Sequence, residues 1–172
     1  AAPALAASPP ILAQAREVPR PALIAGVTDL TGIMKEAGIF KWPVTARSAD
    51  SKLRVVVSSN TKVKTIDGTA ITQIAITSAG NAPTLGHDLT AIGPYYRIEP
   101  GTASFTPAYT VVLSYDHNKL PAGLDQKKLT LSCFDEGTGK WTAIEDAVVY
   151  PVSHTVMGRL ARFGVLSLVA AT

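Results

Sequence analysis

Residues 128–134 read KLTLSCF, and this run decides the fold. Leu129, Leu131 and Cys133 fall on one side of an extended chain and Thr130, Ser132 and Phe134 on the other, the period of two that a half-buried strand requires. Working outward, residues 109–115 (YTVVLSY), 53–58 (LRVVVS) and 73–77 (QIAIT) read the same way. Trp42–Arg47, Tyr95–Glu99, Lys140–Ile144, Val148–Val152 and Thr155–Leu160 continue the pattern. Phe163–Ala170 is so nearly all apolar that it is expected at the centre of the core. Turn chemistry separates the runs, as in Asp67-Gly68, Pro100-Gly101, Pro121-Ala122-Gly123 and Glu136-Gly137. Leu30–Ala37 can form at most a short helical turn. Many short strands without helical periodicity predict an all-β chain, an antiparallel β-sandwich. Pro43 and Pro107 are expected at strand starts or edges, where a missing amide does no harm.

The first 22 residues, AAPALAASPPILAQAREVPRPA, differ from the rest. Five of the chain's 12 prolines lie here, at positions 3, 9, 10, 19 and 21, so an extended or irregular arm is expected. An Ala/Pro segment has little means of burying itself. Its one apolar stretch, with Ile11, Leu12, Ala13, Ala15 and Val18, is the expected contact with another surface. The chain thus divides into an N-terminal arm (1–22), a connecting segment (23–40) and a sandwich (41–172).

Composition excludes several classes. With 172 residues, 47% of them hydrophobic, the chain is long enough for a core without disulfides or a structural metal. A single cysteine excludes a disulfide framework and a multi-thiolate metal site. No run is long and apolar enough to predict a membrane span. The net charge of +3 is spread singly along strand-like segments, at Lys52, Arg54, Lys62 and Lys64 among others, which reads as a solvated sheet face and not as a nucleic-acid patch.

Candidate chemistry is sparse. Cys133 shares a strand face with Leu129 and Leu131, which predicts an inert core thiol. His87, His117 and His154 lie in turns or at strand ends without metal-ligand spacing, although the fold could still gather two of them. Asp116-His117-Asn118 and Asp135-Glu136 are polar loop clusters with the local hydrogen-bonding habit of turns and no calcium-loop pattern. No phosphate cradle, nucleophile elbow or metal-helix pair occurs, so no enzymatic activity, metal or cofactor is predicted. Tyr95 and Tyr96 are the candidate ligand contacts: adjacent in a strand, one points inward and the other outward, and exposed rings of this kind can stack on sugars. Trp141 could join them or pack into the core.

From residue 93 onward the chain carries a cadence of motifs. These are Pro100-Gly101-Thr102-Ala103-Ser104-Phe105-Thr106-Pro107, Tyr115-Asp116, Leu120-Pro121-Ala122-Gly123-Leu124-Asp125, Asp135-Glu136-Gly137-Thr138-Gly139-Lys140-Trp141 and the closing Arg162-Phe163-Gly164. In this order they resemble the prokaryotic cell-surface modules related to the ZU-five domain of ankyrins and netrin receptors, over about residues 45–170. The resemblance implies a β-sandwich on a secreted or surface-anchored protein, serving as a structural or interaction module. Some relatives cleave themselves at a terminal His-Phe-Ser. Here Arg162 and Gly164 stand at the matching positions, so base and nucleophile are both missing and self-cleavage is not expected.

The expected function is therefore a non-catalytic extracellular structural or assembly subunit of a surface layer, filament or envelope complex. It is expected at the cell surface after signal-peptide removal, associating through its arm with copies of itself or with another surface protein. The alternative is a surface module that binds a glycan or other ligand through Tyr95 and Tyr96. Neither reading includes nucleic acid or a membrane span.

Overall fold

The computed structural model describes residues 24–79, 84–86, 88–136, 138–144 and 146–171. They form two antiparallel sheets packed face to face, a β-sandwich. The first sheet runs β1 (Val27–Asp29), β7 (Gln73–Ala79), β9 (Tyr95–Glu99), β15 (Val165–Ala171), β11 (Leu129–Asp135), β12 (Lys140–Ala143). A further strand, β8 (Leu89–Ala91), pairs with the end of β15. The second sheet runs β13 (Val148–Tyr150), β14 (Thr155–Arg162), β10 (Ser104–Ser114), β6 (Lys62–Lys64), β3 (Ile39–Phe40), β2 (Met34–Lys35). In the same sheet β5 (Leu53–Val57) pairs with both β10 and β4 (Val44–Arg47). Among the described residues helix is confined to single 3₁₀ turns at Glu36–Gly38, His117–Lys119 and Gln126–Lys128.

The alternation read from KLTLSCF is the one observed. Leu129 and Leu131 face the other sheet and Cys133 packs against the same cluster. Leu53, Val55 and Val57 of β5 are fully buried with half-exposed residues between them. As expected, β15 is central, hydrogen-bonded on both sides, and every residue from Val165 to Ala170 is buried. Its inward set is Leu166, Leu168 and Ala170, which belong to the core cluster.

Two expectations need correction. The segment 23–40 is not a connector. Val27–Asp29 adds a strand to the first sheet and Met34–Phe40 adds a two-strand ribbon to the second, so the sandwich begins at Val27. These strands are too short to show a period, and long-range bonds such as Phe40 N–H to the Thr61 carbonyl (2.9 Å) hold them. Pro107 lies inside β10 and not at a strand start. It falls where the pairing with β14 shifts register between Ser104 and Tyr109, an irregularity that spares the ladder a missing donor. Pro43 does immediately precede a strand, β4.

Polar side chains pin the two sheets together. In the β4–β5 turn of the second sheet, Asp50 accepts hydrogen bonds from the Ser48 hydroxyl (2.5 Å) and the Lys52 amide (3.0 Å) through one oxygen. Its other oxygen accepts from the hydroxyl of Tyr96, on the first sheet, at 2.6 Å. Desolvation raises the pKa of Asp50, but the Ser48, Tyr96 and Lys52 donors outweigh it and the net shift is downward. Asp67, bonded to Thr69 in the following turn, is lowered to about 2. A carboxylate whose folded-state pKa is depressed contributes stability above its unfolded value and loses that contribution as pH falls through the folded one. Stability is accordingly expected to decline as pH drops from about 4 toward 2. Asp50→Asn should flatten part of that decline in urea titrations at stepped pH, and an unchanged slope would show that Asp50 is not coupled to folding.

Candidate functional site

Two places concentrate unusual geometry: the outward face of the first sheet, and the open flank between the sheets. On the outward face, Val165, Ser167 and Val169 point away from the core yet are 0% exposed. The register explains the shielding of Val165 and Ser167. Trp141 opposes Phe134, Phe134 opposes Val165, and Val165 opposes Arg97. Leu166 opposes Tyr96, so Tyr95 stands beside Ser167. Trp141 on β12 and Tyr95 on β9 are three strand spacings apart, about 14 Å of backbone, yet their ring centroids are 6.0 Å apart. The two rings lean toward each other over β11 and β15, with Phe134 beneath at 5.4 Å from Trp141, and roof this face of the sheet. Arg97 reaches across the same face to an ion pair with Glu136. The Trp141 indole nitrogen is buried in this roof without a hydrogen-bond partner.

This geometry corrects the aromatic ligand site read from the sequence. Tyr96 is the inward tyrosine, 1% exposed, with its hydroxyl spent on Asp50, so it offers no surface to a ligand. Tyr95 is outward and half-buried, but its plane is tilted 44° from Trp141, and Phe134 is tilted 57°. Rings inclined in this way cover a sheet better than they present a flat platform to a sugar.

The loop residues serve local structure. Asp116 accepts the Asn118 amide and Asp125 the Lys127 amide, each at 3.0 Å, closing single turns. The fold does gather His117 and His154: their rings stack at 5.0 Å with planes 8° apart. His117 Nδ1 is 3.0 Å from the Gln126 side-chain nitrogen, and Gln126 accepts the Tyr115 hydroxyl at 2.6 Å. Lone pairs lie in the imidazole planes, so two nearly parallel stacked rings do not aim them at one ion. Among the described residues no group of three or more His, Cys, Asp or Glu side chains converges on a metal-sized site. His87 lies outside the described residues, as do Ile11, Leu12, Ala13, Ala15 and Val18 of the arm.

The open flank is the site that sequence reasoning missed. β13 pairs with β14 only at Thr155–Met157, which leaves Gly158–Arg162 without a strand partner on that side among the described residues. β12 is the terminal strand of the other sheet, with no outer neighbour among the described residues. Ile144 closes the sheets on one another at Gly158, where an added Cβ would lie 3.0 Å from the isoleucine. Beyond that point they part. The gap is a trench of two adjoining hollows, ≈ 740 and ≈ 490 Å³, which share Cys133, Thr142, Leu160 and Ala161. Its floor is apolar, since Cys133 and Leu160 both pack against the core. Burial first, and the Asp135 carboxylate second, push the Cys133 thiol up to about 11, so it is protonated and unreactive at neutral pH.

The strand edges facing this trench turn backbone groups outward that have no strand partner among the described residues. The Arg159 amide turns away from β10 and donates to Asp146 at 3.3 Å. In an antiparallel ladder residues alternate in direction, so Ala161 presents its N–H and C=O to the same side. Opposite, the Ile144 amide bonds to the Leu131 carbonyl, which turns Trp141 and Ala143 outward by the same alternation. No helix among the described residues is long and apolar enough to cross a membrane. No protein-family model matches this chain, and no curated protein matches it.

Proposed function

We propose that this β-sandwich is a non-catalytic structural subunit of an extracellular or cell-surface assembly, and that it associates through its N-terminal arm with copies of itself or with another surface protein. One observation carries the reading: two strand edges whose outward backbone groups have no strand partner among the described residues flank a trench with an apolar floor. Strand edges left open are natural acceptors for an added extended segment. The polar side chains that could have supported chemistry, Asp50, Tyr96, Tyr109, Tyr115 and Asp116, are instead committed to holding the sandwich and its turns. The resemblance to ZU-five-related modules points to the same compartment and to the same kind of role.

Head-to-tail contacts of this type extend into filaments or lattices when the rotation between copies does not close. Deleting residues 1–22 is expected to convert assemblies into monomers of unchanged thermal stability, as read by light scattering after size exclusion and by electron microscopy. A truncated chain that assembles as before would sink the arm reading.

A further inference from the structure

We infer that the trench between β12 and β14 accepts residues 11–18, ILAQAREV, of a neighbouring copy as an added β-strand. This rests on the assembly reading above and names its acceptor. Three observations converge. The first is backbone chemistry. The Ala161 N–H and C=O face the trench on one wall, and the Ala143 and Trp141 backbone face outward on the other, so an extended chain entering here finds partners for its own amides. The arm's prolines, at positions 3, 9, 10, 19 and 21, lie outside residues 11–18, so this stretch keeps every donor.

The second is shape. In an extended chain Ile11, Ala13, Ala15 and Glu17 share one face. Two of these four side chains are single methyl groups, suited to the floor that Leu160 and Cys133 form between the sheets, and Glu17 falls toward the end that Arg159 lines. The isoleucine end fits where the trench is wider, toward Gly101 and Phe163.

The third is reach, and it selects a second copy over the chain's own trench. The described chain starts at Ile24, beside β1, and β1 and β12 are opposite edges of one sheet, five strand spacings or about 24 Å apart. Val18 is six residues from Ile24, so even a fully extended chain carries it only about 20 Å. With Ile11 toward Gly101, Val18 falls at the Ala143–Ile144 end beside β12, so in this orientation the segment cannot lie whole in its own trench. A neighbour's trench imposes no such limit.

The test uses full-length chains in a Cys133→Ala background. One chain carries Ala13→Cys and another Thr142→Cys, and they are mixed under mild oxidation and run on non-reducing gels. A reducible link between the two chains is expected, at a yield at least ten-fold above that of either chain alone. Ala161→Pro removes one donor from the trench edge while sparing the β10 pairing. It is expected to raise the concentration needed for assembly at least ten-fold with an unchanged monomer melting curve. Three results would overturn the inference: no link while deletion of residues 1–22 still abolishes assembly, which keeps the arm but moves its acceptor elsewhere; a link that forms only within doubly substituted monomers at high dilution, which returns the arm to its own trench; or Ala161→Pro assembling like the parent. If the chain lacking residues 1–22 assembles normally, the underlying reading fails along with it.

Discussion

Phe105→Ala is expected to destabilise the sandwich by about 3–5 kcal/mol, the range for removing a fully buried aromatic side chain and leaving a cavity. Phe105 is 2% exposed and sits at the hub of an aromatic cluster. Its ring centroid lies 4.5 Å from Phe163, 5.1 Å from Tyr109 and 6.2 Å from Phe40. These partners come from β3, from β10 itself and from the link between β14 and β15, so no single neighbour can move to fill the hole. Tyr109 is constrained further, because its buried hydroxyl donates to the Arg162 carbonyl at 2.7 Å. A small cavity-driven loss, under about 1.5 kcal/mol in urea denaturation, would mean that the cluster collapses around the alanine. Phe105→Leu should recover more than half of the loss.

Gly164→Ser is expected to cost about 3 kcal/mol, at the upper end for overpacking, because the obstacle is backbone. An added Cβ at Gly164 would lie 2.7 Å from the Phe134 carbonyl oxygen and 3.5 Å from the Cys133 sulfur. The Gly164 carbonyl also accepts the Ile98 amide at 2.9 Å, so the chain cannot retreat without breaking the bond to β9. The resemblance read from the sequence sets this position against the serine of self-cleaving ZU-five-type modules. Restoring that residue, alone or with Arg162→His, is expected to lower the melting temperature and to yield an intact mass with no cut after Phe163. Cleaved product from the double variant would show that the β11 backbone yields enough to admit a nucleophile.

How far the sequence reached can be argued residue by residue. β9 is observed at Tyr95–Glu99, the bounds its alternation suggested, and β5, β11, β12 and β15 lie within a residue or two of theirs. Short strands such as β1, β2, β3 and β8, of two or three residues, went unread because nothing so short has a period. They exist because longer neighbours offer them partners. That one of Tyr95 and Tyr96 points inward followed from the alternation. Which one does so depends on the pairing of Leu166 with Tyr96, a relation between segments 70 positions apart.

The trench was illegible for the same reason. Thr142, Leu160 and Ala161 carry no chemical signal in KWTA or in GRLAR. What distinguishes them is that β13 stops pairing at Met157 and that β12 has no outer neighbour among the described residues. Taken alone, the sequence determined the class of structure, the shared face of Leu129, Leu131 and Cys133, the separate character of the first 22 residues and the absence of any recognisable catalytic pattern. Those properties are local: a period of two sorts side chains onto two faces, and proline withdraws backbone donors wherever it occurs. Only the tertiary structure decided that segment 23–40 belongs to the sandwich, that Tyr95 and Trp141 close a roof over β15, and which backbone edges are left open. An edge is open when no distant segment arrives to pair with it, and the hydrogen bonds that settle this join residues whose separation along the chain no local pattern records.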